Sequence, residues 1–331
     1  MSIPQGAIRF NTDTHRLEFY AQDRWFEMAT NVPTLEGGTR GIFFSENPSS
    51  SNVIQFITIE TGGNATNFGD LQAMENQGAS CASRTRGIYA GGENPSIINT
   101  IEFVTFSHTG DATNFGDLTN QRRRMGDMGL SNQTRGLFFG GYTGSTTDNA
   151  IDMISIASTG NAKDFGDIQQ KRETGSSFAS PTRGMNMGGR VQPANTKMNN
   201  IDFVTISTRG NTTDFGDLMT ARIAAAGASN AVRGLIMAGS TMPADTTDIS
   251  YMTIATKGNS TKFGDLSSVT DYPLGAMASP TRACVGGGSY PSMTDDIEYV
   301  NIATEGNSVF FGNLLSAKGD GAGCSNGHGG L

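Results

Sequence analysis

The stretch IEFVTFSHTGDATNFGDL at 101–118 decides the fold, because the chain writes it again as IDMISIASTGNAKDFGDI at 151–168 and IDFVTISTRGNTTDFGDL at 201–218. Each copy opens on a run rich in β-branched and aromatic residues. It passes through Gly-Asn or Gly-Asp and ends on Phe-Gly-Asp with an aliphatic residue behind it. Working outward, Phe-Gly-Asp recurs at Phe68, Phe115, Phe165, Phe215 and Phe263 and returns as Phe311-Gly312-Asn313, at intervals of 47, 50, 50, 48 and 48 residues. A second marker, Thr-Arg-Gly or a close variant, places Arg40, Arg86, Arg135, Arg183, Arg233 and Arg282 at intervals of 46, 49, 48, 50 and 49. Two markers in step six times define an array of six units of roughly 49 residues.

Four strands are expected in each unit. The first is a short run of small residues such as 79–83 or 226–229, which suits crowding toward a narrow axis. The second follows the arginine (Gly87-Ile88-Tyr89-Ala90, Gly136-Leu137-Phe138-Phe139) and often ends on a Gly pair. The third is the β-branched and aromatic run, apolar on both faces as a strand buried between layers should be. The fourth carries Phe-Gly-Asp, and the Gly-Asn or Gly-Asp pair before it reads as a tight hairpin turn. Four short antiparallel strands per repeat make a propeller blade. The first unit begins at Thr-Arg-Gly without a small strand, and 321–326 matches that strand with no unit behind it. The expected fold is therefore all-β, a six-bladed β-propeller closed by a C-terminal inner strand, over residues 31–331. Residues 1–30 stand apart as a short N-terminal β-meander of three strands with polar turns, too small for independent stability. Its aromatic residues Phe10, Tyr20 and Trp25 are the candidate mount.

Composition narrows the function. Of 331 residues 44 are glycine and only 16% are charged, which leaves little material for exposed helices. No run of apolar residues reaches the length of a membrane span, and the N-terminus lacks the pattern of a secretory signal. A net charge of −8 disfavours nucleic acid, whose phosphates demand an excess of Lys and Arg. Three widely spaced cysteines and three scattered histidines suggest neither a disulfide framework nor a metal site, so no cofactor is expected. The usual catalytic motifs are absent.

The order small strand, Arg-Gly, hydrophobics, Gly-Gly, variable loop, strand, turn, aromatic resembles the kelch repeats of galactose oxidase-type propellers over about 38–331, with Phe where kelch blades carry Trp. The Thr-Gly-Asn…Phe-Gly-Asp-Leu wording is similar to propeller-type structural proteins of tailed phages, especially cyanophages. The wording of 6–25 resembles a meander of phage tail-fibre and other virion proteins. The resemblance implies a non-catalytic virion structural protein, made in the host cytoplasm and associated with tail, fibre or head. Its partners would be other virion proteins through the meander and a host-surface glycan or receptor through the propeller, with homo-oligomers possible and no membrane insertion. The alternative is an intracellular kelch-type adaptor. A galactose-oxidase-like or sialidase-like enzyme fits less well, since the first needs paired histidines and a cysteine-linked tyrosine around copper.

Loop variation points to the binding face. Connections between strands 1 and 2 and between 3 and 4 hardly change from unit to unit. Those between 2 and 3, and from 4 to the next unit, vary widely and share the opposite face. On that face Arg122, Arg123, Arg124, Tyr142, Tyr272 and Tyr290 are the candidate contacts. The six Thr-Arg-Gly arginines are expected to be structural, each bridging to a neighbouring loop or to an acid such as Glu102, Asp152, Asp202 or Glu298.

Overall fold

Small side chains, paired glycines and β-branched runs of four to six residues favour short strands, and the structure contains no helix among its described residues. It is a computed structural model, and it describes residues 3–11, 16–27, 39–44, 51–93, 95–241, 244–289 and 292–331. The chain divides into two units, 1–37 and 38–331.

In the first unit Ile8–Asn11, Arg16–Ala21 and Arg24–Glu27 form a three-stranded antiparallel meander. Gln22 and Asp23 both sit in the left-handed region (φ 48° and 57°), the backbone of a two-residue primed turn. Cross-strand pairing places Ile8 and Phe26 beside Phe19 on one face, and Phe10 shares it. Phe19 and Phe26 stack at 5.5 Å. The other face carries Arg9, Glu18, Tyr20 and Trp25. Tyr20 meets Trp25 edge-on at 5.2 Å, and the Arg9 guanidinium lies 4.2 Å from the Trp25 ring centre.

Among its described residues the second unit holds six four-stranded antiparallel sheets, plus a two-stranded ribbon at 190–197. Sheet I takes its first strand from Ala322–Ser325 and continues with Arg40–Phe44, Ser51–Thr58 and Thr66–Glu75. Sheet II is Ala79–Ala82, Arg86–Glu93, Ile97–Thr105 and Thr113–Asp117. Sheet III is Gly129–Ser131, Arg135–Phe139, Ala150–Ser155 and Lys163–Asp167. Sheet IV is Ser176–Ala179, Arg183–Met187, Asn200–Thr205 and Thr213–Asp217. Sheet V is Ala226–Ser229, Arg233–Met237, Asp248–Thr253 and Thr261–Asp265. Sheet VI is Gly275–Ala278, Arg282–Gly286, Asp296–Asn301 and Val309–Asn313. In sheet I, Ala322 pairs with Phe44 and Ser325 with Gly41. This architecture is consistent with a β-propeller.

Burial falls from the first strand to the fourth. First strands are almost wholly buried, while fourth strands expose their leading residues and bury the repeated phenylalanine. First strands contact one another in chain order, and that of sheet VI contacts that of sheet I. They lie close enough that a Cβ on Gly129 would collide with the Ser80 carbonyl and one on Gly227 with that of Ser177. Small residues at these positions therefore answer to sheet separation as well as to strand propensity. Apolar side chains of adjacent sheets, among them Ile88, Leu137, Ile154 and Val204, fill the layers between them.

Candidate functional site

The repeated markers prove to be joints between sheets. Each Thr-Arg-Gly arginine donates to a carbonyl at the end of the third strand of the following sheet. Arg40 reaches the Phe106 carbonyl. Arg86 donates to Ile156 at 2.9 Å and Arg135 to Ile206 at 2.9 Å. Arg183 reaches Ile254 at 2.9 Å, Arg233 reaches Ala303 at 3.1 Å, and Arg282 of sheet VI returns to Ile59 of sheet I at 3.1 Å. Five of these guanidiniums also lie over an aromatic ring of their own third strand, as Arg86 does over Phe103 at 4.6 Å. That ring meets the repeated phenylalanine edge-on, Phe103 to Phe115 at 5.9 Å. An arginine held on both sides in this way has its charge and donors occupied by structure.

The acids have other partners. Glu102 accepts from the Gln72 N–H at 3.1 Å, Asp152 from Thr119 at 3.1 Å and Glu298 from Ser267 at 3.0 Å. Asp152 and Asp202 each also hold an arginine from outside the Thr-Arg-Gly set, Arg122 and Arg172. This corrects the placement of Arg122 on the binding face. Its side chain is wholly buried, donating to the Gly140 and Ala150 carbonyls at 2.9 and 3.0 Å and to Asp152 at 2.5 Å. Arg172 and Arg222 repeat the arrangement 50 residues apart, with Ser250 in place of the acid for Arg222. At the same place in sheet I stands Glu75, buried beside Glu102. Burial, with the Glu102 charge second, pushes its carboxyl up to about 8.

The other candidates fall nearer the surface. Arg123 pairs with Glu93 and lies 5.6 Å from the Tyr142 ring centre. Tyr142 is half-buried and also faces Arg124. Tyr290 lies outside the described residues. Arg124 and Tyr272 come together at a position that sequence reading did not single out. The ninth residue after each repeated phenylalanine is Gln77, Arg124, Thr174, Ala224, Tyr272 and Asp320 in turn. All six adopt left-handed backbone, with φ between 44° and 61°. That conformation strains a non-glycine residue by about 1 kcal/mol or more, so its sixfold use has a cause. The cause is a series of hydrogen bonds that joins most of these positions to the next: Thr174 N–H to Arg124 O at 2.8 Å, Ala224 to Thr174 at 2.9 Å, Asp320 to Tyr272 at 2.9 Å and Gln77 to Asp320 at 3.3 Å. The Gln77 carbonyl accepts from Met125 at 3.2 Å, next to Arg124.

These positions frame a cleft of about 400 Å³. Five of them, Gln77, Arg124, Thr174, Tyr272 and Asp320, line it. Arg190, Asp271, Ser289 and Met293 line it from the variable connections. Arg190 donates to the wholly buried Glu173 at 2.8 Å, and Arg124 lies 3.5 Å from the same carboxylate. Gln77 and Asp320 are neighbours in this series, and the Gln77 side-chain amide donates to Asp320 at 2.9 Å. Burial, then the nearby charge of Asp245, pushes the Asp271 carboxyl up to about 6. Burial likewise raises the Tyr272 phenol.

Beneath the cleft the space between the first strands is narrow. Asp127 reaches the Gly227 N–H at 2.6 Å, and burial raises its carboxyl well above the usual range. A central void of about 40 Å³ remains. At the far ends of the first strands His328 bonds the Ala82 carbonyl at 3.0 Å and Ser131 at 3.2 Å, while the Gly329 N–H reaches Ser229. Burial lowers the His328 imidazole to about 4, so it is neutral there at ordinary pH. No group of three His, Cys, Asp or Glu among the described residues is arranged to hold a metal ion.

No protein-family model matches the chain, and no curated protein matches it significantly. The reading of the site therefore rests on its geometry.

Proposed function

We propose that the six sheets are the blades of a kelch-like β-propeller, closed where Ala322–Ser325 joins sheet I. We further propose that the protein is a non-catalytic virion structural protein, with the cleft as its recognition site. The closed propeller is supported by joints that run from each sheet to the next and return from sheet VI to sheet I. The recognition role rests on one observation, six equivalent left-handed positions whose backbone is constant and whose side chains all differ. A scaffold that needs only shape has no use for Gln, Arg, Thr, Ala, Tyr and Asp at one repeated place. A concave, polar site on rigid strands is the form that specific binding takes. Display on a phage particle is supported by the wording of the repeats and of the meander, with Phe10, Tyr20 and Trp25 as the mount toward other virion proteins.

Two measurements test the reading. Immunogold labelling of particles from the source virus should decorate one structure, and unlabelled particles would overturn the virion assignment. A glycan array probed with the intact protein and with Tyr272→Asn, which keeps a residue tolerant of left-handed backbone, should lose its signals in the variant. Equal signals from both proteins, or silence from the intact one, would overturn glycan recognition at the cleft.

A further inference from the structure

The residue just before each turn glycine differs from sheet to sheet. In chain order it is Gly62, Thr109, Thr159, Arg209, Lys257 and Glu305. Each stands at the tip of a hairpin between third and fourth strands, and these tips reach back to the preceding sheet. Tyr251 of sheet V, for example, donates to Glu305 of sheet VI at 2.8 Å. Sheets IV and V are the one neighbouring pair in which both tip residues are basic. Lys257 of sheet V extends to sheet IV, where its Nζ lies 5.2 Å from the centre of the Phe203 ring. Arg183 lies 5.0 Å from the same ring. Its Nη1 donates to the Ile254 and Ala255 carbonyls at 2.9 and 2.8 Å, partners without net charge.

Beside the Phe203 ring runs a groove of about 340 Å³. Phe203, Thr205 and Thr213 line it from the strands, and Thr208, Arg209 and Asn211 line it from the hairpin. No carboxylate lines it among the described residues. The acid nearest to Arg209 in the chain, Asp214, pairs in register with Asp202, on the strand face opposite Phe203 and Thr213. In a chain of net charge −8, three cationic groups gathered at one groove set up a local positive field.

We infer that this groove binds a phosphate monoester of a small molecule, with the phosphate between Arg209 and Lys257. Arg209 presents a planar fork of donors that matches a phosphate, and Lys257 a compact charge. The hydroxyls of Thr205 and Thr208 and the Asn211 amide supply further donors. A dianion gains from both cations at once, whereas a carboxylate or a sulfate ester brings a single charge. The groove is of a size that takes a small ligand. It shares no lining residue with the cleft, so the inference stands apart from the recognition role proposed there.

The test compares methyl phosphate, a dianion at about pH 8, with the monoanions methyl sulfate and acetate. Titration calorimetry on the full chain at low salt should show methyl phosphate binding at least about tenfold more tightly than either. Arg209→Gln and Lys257→Gln should each weaken it at least about fivefold. Lys171→Gln removes the same charge from a side chain outside the groove and should leave binding unchanged. All three side chains are exposed, and matching melting temperatures will show that the variants are folded. Equal affinity for the three anions, or no binding of methyl phosphate, would overturn the inference. A phosphate preference that survives both groove substitutions, or a loss of the same size in Lys171→Gln, would overturn its placement.

Discussion

Arg122 and Arg123 are neighbours in sequence with opposite fates. Arg122 is sealed against Asp152, and removing either partner would strand the other charge without water. Arg122→Ala should cost about 3–5 kcal/mol in denaturant unfolding, whereas Arg123→Ala, from a partly exposed pair, should cost less than about 1 kcal/mol. Comparable losses would contradict the burial described here. Glu75 occupies the place of Arg122 in sheet I, an acid where its counterparts Arg122, Arg172 and Arg222 are basic. Its folded-state carboxyl lies near 8, above its unfolded value, so the proton is held more tightly in the native protein. The stabilisation from that proton is complete below about pH 4.5 and is lost as pH rises through 8. Melting temperature should therefore fall from pH 5 to pH 8.5, with a loss of about 2–4 kcal/mol at this site. Glu75→Gln should flatten the profile, and an unchanged slope would assign the pH dependence elsewhere.

At the scale of the element, the repeat arithmetic made the strands and their order legible, because β-branched runs and markers in step leave little freedom. The function of the constant wording was less legible. The Gly-Asn and Gly-Asp pairs read as hairpin turns, yet their main partners lie in the preceding sheet. The Gly160 N–H bonds the Phe115 carbonyl at 2.7 Å, and the Asn161 side chain accepts from the Asp117 N–H at 3.2 Å. A Cβ on Gly116 would collide with the Gly160 carbonyl. A local pattern cannot reveal a partner nearly fifty residues away, although the recurrence of both motifs in every unit was a trace of it. Gly116→Ala should cost about 3 kcal/mol and Asn161→Ala about 1 kcal/mol. Thermal melts giving a harmless Gly116→Ala would show that the sheets are less closely apposed. The set of left-handed positions was hidden for the opposite reason. It keeps its backbone and varies its side chains, so a search for repeated letters passes over it, and only the fixed offset from Phe-Gly-Asp marks it.

For the whole molecule, sheet I depends on residues far apart in the chain. The small-residue strand was legible at 321–326 because it matches the first strands of the other units. The structure pairs Ala322–Ser325 with Arg40–Phe44, and the Asn326 side chain accepts from the Arg40 N–H at 2.9 Å. A truncation before Gly321 removes the strand, these bonds and the His328 cover together. Its soluble yield should collapse relative to the intact chain, and a truncated protein with an unchanged melting temperature would refute the dependence. The same pairing orders events during synthesis. While a ribosome is still making sheets II to VI, Arg40–Phe44 has an unoccupied edge, and nothing emerging before residue 322 is built to fill it. Contacts so distant in sequence form slowly, and an open edge welcomes any small-residue strand nearby. Crowded polysomes thus put nascent copies at risk of lending that strand to one another, which makes interlocked dimers the characteristic misassembly of this architecture.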